Sequence, residues 1–154
     1  GEVEYAHVRI PAPDASSYAV HKSMQGNKRK DTKPELLVRQ RLREAGLGGY
    51  RLQWKVPGHP DVAWPGKKVA LFIHGCYWHR CPHCNLSLPK KNTEYWVAKF
   101  NRNQERDAQN EAALIADGWK VHVAWECELK KGKREETFAK LLPVLAHELG
   151  KELR

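Results

Sequence analysis

Four cysteines stand at positions 76, 81, 84 and 127, three of them within nine residues and the fourth far downstream. Four thiolates suffice for a closed tetrahedral Zn²⁺ site. Cys81-Pro82-His83-Cys84 is also a C-x-x-C, the spacing of a redox pair, but such a pair belongs at a helix start after a strand. Pro and His inside the motif, with Cys76 just upstream, favour zinc on Cys76, Cys81, Cys84 and Cys127. Closure by Cys127 would tie a late strand to the loop after an early one. The first residues lack the basic start and apolar run of a secretion signal, which makes a disulfide framework the weaker reading.

The segment His74-Gly75-Cys76-Tyr77-Trp78-His79-Arg80-Cys81 packs two His, two Cys and two aromatics into eight positions. Zinc would make this loop rigid and hold Tyr77, Trp78 and His79 in fixed directions. Imidazole titrates near neutrality, so a fixed His79 suits general-base work. The plainer alternative, a spare zinc ligand, finds no place on an ion already holding four Cys. Rigid aromatics in a basic chain suit stacking on bases; the alternative is that Tyr77 and Trp78 pack in the core. Asp61 opens a short strand and His74 ends the next. A hairpin turning at Pro65-Gly66 brings Asp61 near Ile73 and His74. A carboxylate at such an edge either holds Mg²⁺ shared with a phosphate or caps a turn. Asp107, within Asn101-Arg102-Asn103-Gln104-Glu105-Arg106-Asp107, either orients a His as triad carboxylates do or lies on a solvated helix face.

Charge points to the partner. Lys and Arg number 27 against 18 Asp and Glu, a net charge of +9. A surplus of this size attracts polyanions, nucleic acid above all, unless it is only a solvated surface. The 154 residues make one domain, or one domain with an arm. With 41% hydrophobic residues there is material for a core, which argues against wholesale disorder. No apolar run approaches the roughly 18 residues of a membrane span, so a soluble, intracellular chain is expected. Six Trp mean an aromatic core or rings that meet a partner.

These groups need elements to position them. Residues 1–22 contain Pro11 and Pro13 and no period of 2 or 3.6, and read as a flexible or poorly packed arm before a domain at 23–154. Residues 23–30 read as polar and basic, with Met24 expected at the surface. Thr32, Pro34 and Glu35 make a capping box with Pro in the first turn, opening a helix to about Ala45 that Gly46 ends. Strands are expected over 50–56, 61–64 and 68–73, the last central. A loop covers 74–92. Asn92 or Thr93 then caps a long helix to about Asp117, with Trp96, Val97, Phe100, Ala108, Ala112 and Ile115 on its apolar face. A strand over 119–125, a basic loop at 130–134 and a helix over 135–149, kinked at Pro143, complete an α/β sandwich around a small mixed sheet.

Pro60-Asp61, Phe72-Ile73 with the His74-to-His79 block, Thr93-Glu94-Tyr95-Trp96, Asn103-Gln104-Glu105-Arg106-Asp107, Gly118-Trp119-Lys120-Val121 and Trp125-Glu126-Cys127 form an ordered series. With Ser23-Met24 and Asp31-Thr32 it resembles the very short patch repair (Vsr) endonucleases over about residues 23–130. The resemblance implies a restriction-endonuclease-like fold related to PD-(D/E)xK enzymes, with a central mixed sheet flanked by helices and a structural zinc site. It implies a bacterial, cytoplasmic, nucleoid-associated repair enzyme that acts on double-stranded DNA and has no membrane partner. The reaction implied is a Mg²⁺-dependent nick 5′ of the T in a T:G mismatch left by deaminated 5-methylcytosine. By the same resemblance Asp61 and the carbonyl of Ile73 hold Mg²⁺, His79 activates water, Asp107 orients His79, and Glu35 and His74 lie near the scissile phosphate. Tyr77, Trp78 and Trp96 wedge into the duplex, and Met24 enters from the other side. A monomer is implied, with mismatch-repair proteins as further partners. Three features depart from the family pattern: position 73 is Ile where the best-known member has Thr, which a carbonyl role survives; the zinc loop is Cys-x-x-Cys in place of His-x-Cys, with one extra residue; and the arm at 1–22 matches nothing in the family.

Two rivals remain open at this point. A restriction-type endonuclease of the same fold would cut a sequence in place of a mismatch, although intact duplex gives an aromatic wedge less easily opened steps. A zinc-stabilised DNA-binding module without catalysis would explain charge and cysteines but not the Asp61, His79 and Asp107 set.

Overall fold

The computed structural model describes residues 31–154; the expected arm and Met24 lie outside the described residues. Helix α1 (Lys33–Glu44) starts as its capping box dictates: Glu35 N–H donates to Thr32 Oγ1, and the Glu35 carboxylate accepts from Thr32 N–H. Val38 and Leu42 form its buried stripe.

Four strands follow in the sheet order β1 (Arg51–Leu52), β2 (Val62–Trp64), β3 (Val69–His74) and β4 (Lys120–Trp125). The first three are antiparallel, and β4 runs parallel to β3 with Val69 opposite Lys120 and His74 opposite Trp125. A parallel neighbour requires a crossover, which helix α3 (Thr93–Ala116) supplies. The expected strand over 50–56 shrinks to two residues, because Gln53 takes a left-handed φ of 48° and turns the chain off the sheet edge. The expected Pro65-Gly66 turn is a 3₁₀ turn, Pro65–Lys67, closed by Lys68 at φ 52°.

Alternation along β3 sorts the core into two layers. Val69 and Leu71 face Val38, Leu42 and Leu145, the side of α1 and the last helix, α4 (Arg134–Leu149). Ala70 and Phe72 face Leu114 and Trp119, the side of α3. Helix α4 continues through Pro143. On α3 the buried residues are Trp96, Phe100 and Leu114; Ile115, expected on the apolar face, is 56% exposed. The expected loop over 74–92 contains a single helical turn, α2 (Cys76–His79). A 3₁₀ turn, Glu126–Leu129, follows β4. No helix of the described residues is long and apolar enough to cross a membrane.

Candidate active site and metal centre

The β2–β3 hairpin places Asp61 beside the end of β3. Ile73 N–H donates to Asp61 Oδ2 at 2.7 Å, and Gln53 Nε2 donates to Oδ1 at 3.1 Å. Burial pushes the Asp61 carboxyl up to about 6, against the Ile73 and Gln53 hydrogen bonds, and the nearby Glu35 carboxylate adds to the rise. Glu35 is 3% exposed. Its Oε2 accepts from Thr32 Oγ1 at 2.7 Å, while Oε1 has no hydrogen-bond partner, with Arg39 Nη2 at 3.6 Å. One oxygen of Glu35 thus closes the helix start, and the other faces the Arg39 guanidinium.

Across the same cleft, His74 ends β3 and His79 ends α2, with Gly75 as the N-cap between them. Their rings stack with centroids 4.0 Å apart and planes 9° from parallel. His79 Nδ1 lies 2.5 Å from Asp107 Oδ2 on α3. An ionised carboxylate only accepts, so Nδ1 carries the proton and the Nε2 lone pair of neutral His79 is free. Burial lowers His74 to about 4, with the His79 charge in the same direction; Asp107, 4.0 Å from His74 Nε2, opposes this without reversing it. His74 is thus neutral at neutral pH. Glu35, Asp61, Ile73, His74, His79 and Asp107 all line one cleft of about 600 Å³.

Three supporting residues are given no role by the sequence: Asn103 and Trp125 stand in the blocks that carry the resemblance, and Gln53 has no signal of its own. Gln53 reaches Asp61 from a left-handed backbone. Trp125 sets its ring edge-on to His74 and His79, at 5.2 and 6.5 Å. Asn103 Nδ2 donates to the Trp78 carbonyl at 3.1 Å and fastens α2 to α3.

Behind α2 the four cysteines converge, with one Sγ of each within 4.8 Å of the others. Cys81 Sγ and Cys127 Sγ are 3.6 Å apart, against about 3.8 Å between sulfurs at tetrahedral Zn–S bonds of about 2.3 Å. Cys127 N–H donates to Cys76 Sγ and His83 N–H to Cys81 Sγ, both at 3.3 Å. Burial raises the Cys76 thiol far above its ordinary value and Cys127 to about 11, whereas Cys81 is lowered, against its own burial, by hydrogen bonds from His83 N–H and the neighbouring thiols; a bound cation would favour the thiolate at Cys76 and Cys127. All four are free of disulfides. The quartet joins the end of β4 to the turn that carries His79, while His79 itself turns toward Asp107.

The aromatic side chains expected to wedge into the duplex pack together in this structure. All three expected wedge residues belong to a cluster with Phe100, but Trp96 is 0% and Tyr77 8% exposed. Burial of their apolar rings against each other outweighs exposure to water. Only Trp78 lines the cleft. Lys99 Nζ sits 5.1 Å from the Trp78 ring centroid, and Arg80 lies over Phe100 at 4.3 Å. Insertion of Tyr77 or Trp96 would require the cluster to open.

Comparison with known proteins places this arrangement. The sequence profile described as DNA mismatch endonuclease Vsr matches residues 17–86. A type II nicking enzyme of Xanthomonas oryzae, V.XorIIP, is 44% identical over 69% of this chain and 78% of its own length. The nicking enzyme V.NmeAIP of Neisseria meningitidis is also 44% identical, over 66% and 72%. The DNA mismatch endonuclease Vsr of Escherichia coli is 36% identical over 71% of this chain and 70% of its own.

Proposed function

The chain belongs to the Vsr family and is a DNA endonuclease; from that premise we propose that it nicks double-stranded DNA 5′ of the T in T:G mismatches, with Mg²⁺ as cofactor. The observation that carries the reading is the meeting of two buried carboxylates, Asp61 and Glu35, with a His79–Asp107 pair in one cleft.

The donor set fits a hard cation. Glu35 Oε1 is buried with no hydrogen-bond partner among the described residues, 3.6 Å from Arg39 Nη2, and Asp61 is forced up to about 6 by burial and by Glu35. Oxygen-rich sites of this kind suit Mg²⁺. Asp61 and the Ile73 carbonyl would hold the ion, with Glu35 beside it. When bound, Mg²⁺ neutralises charge developing on the phosphate.

The chain's own groups account for the proton. His79 accepts it at Nε2 from the attacking water, because Asp107 keeps the proton on Nδ1. Asp107 then stabilises the imidazolium. His74 stays neutral and can donate one hydrogen bond to the phosphate region. Trp78 is the ring placed to meet a mismatched step, where unstacking costs least.

The cysteine quartet is proposed to hold structural Zn²⁺. Residues 23–154 are proposed as a restriction-endonuclease-like domain whose β2–β3 hairpin edge carries the site. The enzyme would act as a monomer on chromosomal DNA in a bacterial cytoplasm, with residues 1–22 as an arm and mismatch-repair proteins as further partners.

The test is a nicking assay on labelled duplexes carrying T:G, other mismatches or A:T at one position, with and without Mg²⁺. The expected result is one nick in the T strand of the T:G duplex, only with Mg²⁺. Equal cutting of matched duplex would favour a sequence-reading enzyme, and no cutting of any duplex would overturn the catalytic assignment.

A further inference from the structure

We propose that a basic groove beside the cleft, lined by Lys33, Lys130, Lys131, Gly132 and Arg134 and flanked by Lys133 of the same loop, is a track for the DNA sugar–phosphate backbone flanking the nick. The inference rests on the endonuclease reading above and adds a surface to it.

The groove encloses about 650 Å³. It is continuous with the catalytic cleft, because Lys33 and Pro34 line both. Lys33, Lys130, Lys131 and Lys133 are all exposed. Their ammonium groups form no ion pair among the described residues, and the adjacent acids are engaged elsewhere. Glu135 is held by Arg41 through both guanidinium nitrogens, and Glu136 pairs with Lys140. Positive charge is therefore uncompensated along the groove, next to the site where a phosphate must sit.

The loop is also held in place. Lys133 N–H donates to the Lys130 carbonyl at 2.8 Å, Arg134 Nε to the Leu129 carbonyl at 3.2 Å, and Thr137 Oγ1 to the Glu128 carbonyl at 2.6 Å. Leu129, 3% exposed, anchors its start. A fixed row of lysines with an apolar floor of Pro34, Leu37 and Leu129 matches a backbone that alternates phosphate and sugar. Contacts of this type position the duplex and carry no base information.

The Lys130→Ala/Lys131→Ala/Lys133→Ala variant tests this against Lys67→Ala/Lys120→Ala. The control pair lies at the opposite end of β3 from Ile73 and His74. Binding to a T:G duplex is measured from low to moderate salt. Each lost phosphate contact removes about 0.9 from the slope of log K against log salt. The triple variant should flatten the slope by about two to three, weaken matched and mismatched duplex alike, and keep the single-turnover nicking rate at saturating protein. The control pair should leave the slope nearly unchanged. A triple-variant slope equal to wild type, or a loss per lysine no greater than in the control, overturns the proposal, as does a lost rate at an unchanged slope. If wild type itself fails to nick T:G duplex, the functional reading fails; if it nicks and the triple variant keeps the wild-type slope, only the groove fails.

Discussion

Replacing Asp107 isolates what the carboxylate does for His79. The two groups meet at 2.5 Å, with Asp107 29% exposed at its side chain. A hydrogen bond to a charged group is worth about 1.5–3 kcal/mol. At about 1.36 kcal/mol per tenfold in rate, losing it at the stage where imidazolium forms slows nicking about 10- to 150-fold. Asp107→Asn removes the charge but keeps an oxygen that can accept from Nδ1–H, so it should fall within that range. Asp107→Ala also frees the ring and its tautomer, and should approach His79→Ala, where loss of a general base costs about 10²–10⁴-fold. Because Asp107 acts through His79, the double variant His79→Ala/Asp107→Ala should be no slower than His79→Ala alone. The assay is single-turnover nicking of T:G duplex at saturating protein, with binding measured in parallel and expected to stay near wild type. An Asp107→Asn rate within twofold of wild type, or multiplied losses in the double variant, would refute the coupling.

Further outcomes follow from the rest of the site. Cys127→Ala should lose bound zinc and unfold or aggregate, since a structural metal contributes folding energy directly; metal analysis of a folded, zinc-free variant would count against the quartet. Trp78→Ala should lose more affinity for T:G than for matched duplex, and equal losses in paired titrations would assign Trp78 to general packing or general DNA contact. Asp61 titrates at about 6 in the fold against an ordinary 3.8, so the folded state holds a proton that the unfolded state has released. Its contribution to stability is full below about pH 4 and is lost as pH rises through about 6. Mg²⁺ should therefore raise the melting temperature at pH 7–8 and hardly at pH 5; a shift independent of pH in melting curves would contradict Asp61 as the ligand.

Local chemistry made parts of this fold legible. Thr32, Pro34 and Glu35 announce the start of α1 because capping depends on neighbours three residues apart. The apolar run in β3 and the Pro65-Gly66 break announce a hairpin, and a hairpin alone suffices to bring Asp61 to Ile73. What escaped depends on tertiary packing. Gln53 sits where a strand pattern continues, yet its backbone turns left-handed to reach Asp61. One turn is too short for a helical period, so α2 is invisible in a loop rich in Cys and His. Ile115 and Leu114 are neighbours on α3, about 100° apart around its axis, and the rotation of the docked helix about that axis decides which is buried. Tyr77 and Trp96 are equally suited to a wedge or a core, and in this structure they pack on Phe100.

The central claim, that Asp61 anchors the cation for a strand-specific nick at T:G, is tested most directly by mapping cleavage at nucleotide resolution on one T:G duplex. Wild type and Asp61→Ala would be compared in Mg²⁺ and in chelator. The account predicts a single break immediately 5′ of the mismatched T with wild type in Mg²⁺. It predicts none in chelator and none with Asp61→Ala, although that variant still binds the duplex, since affinity comes mostly from cationic and stacking contacts. A nick by Asp61→Ala at the wild-type rate, or breaks in both strands or away from the mismatch, would contradict it.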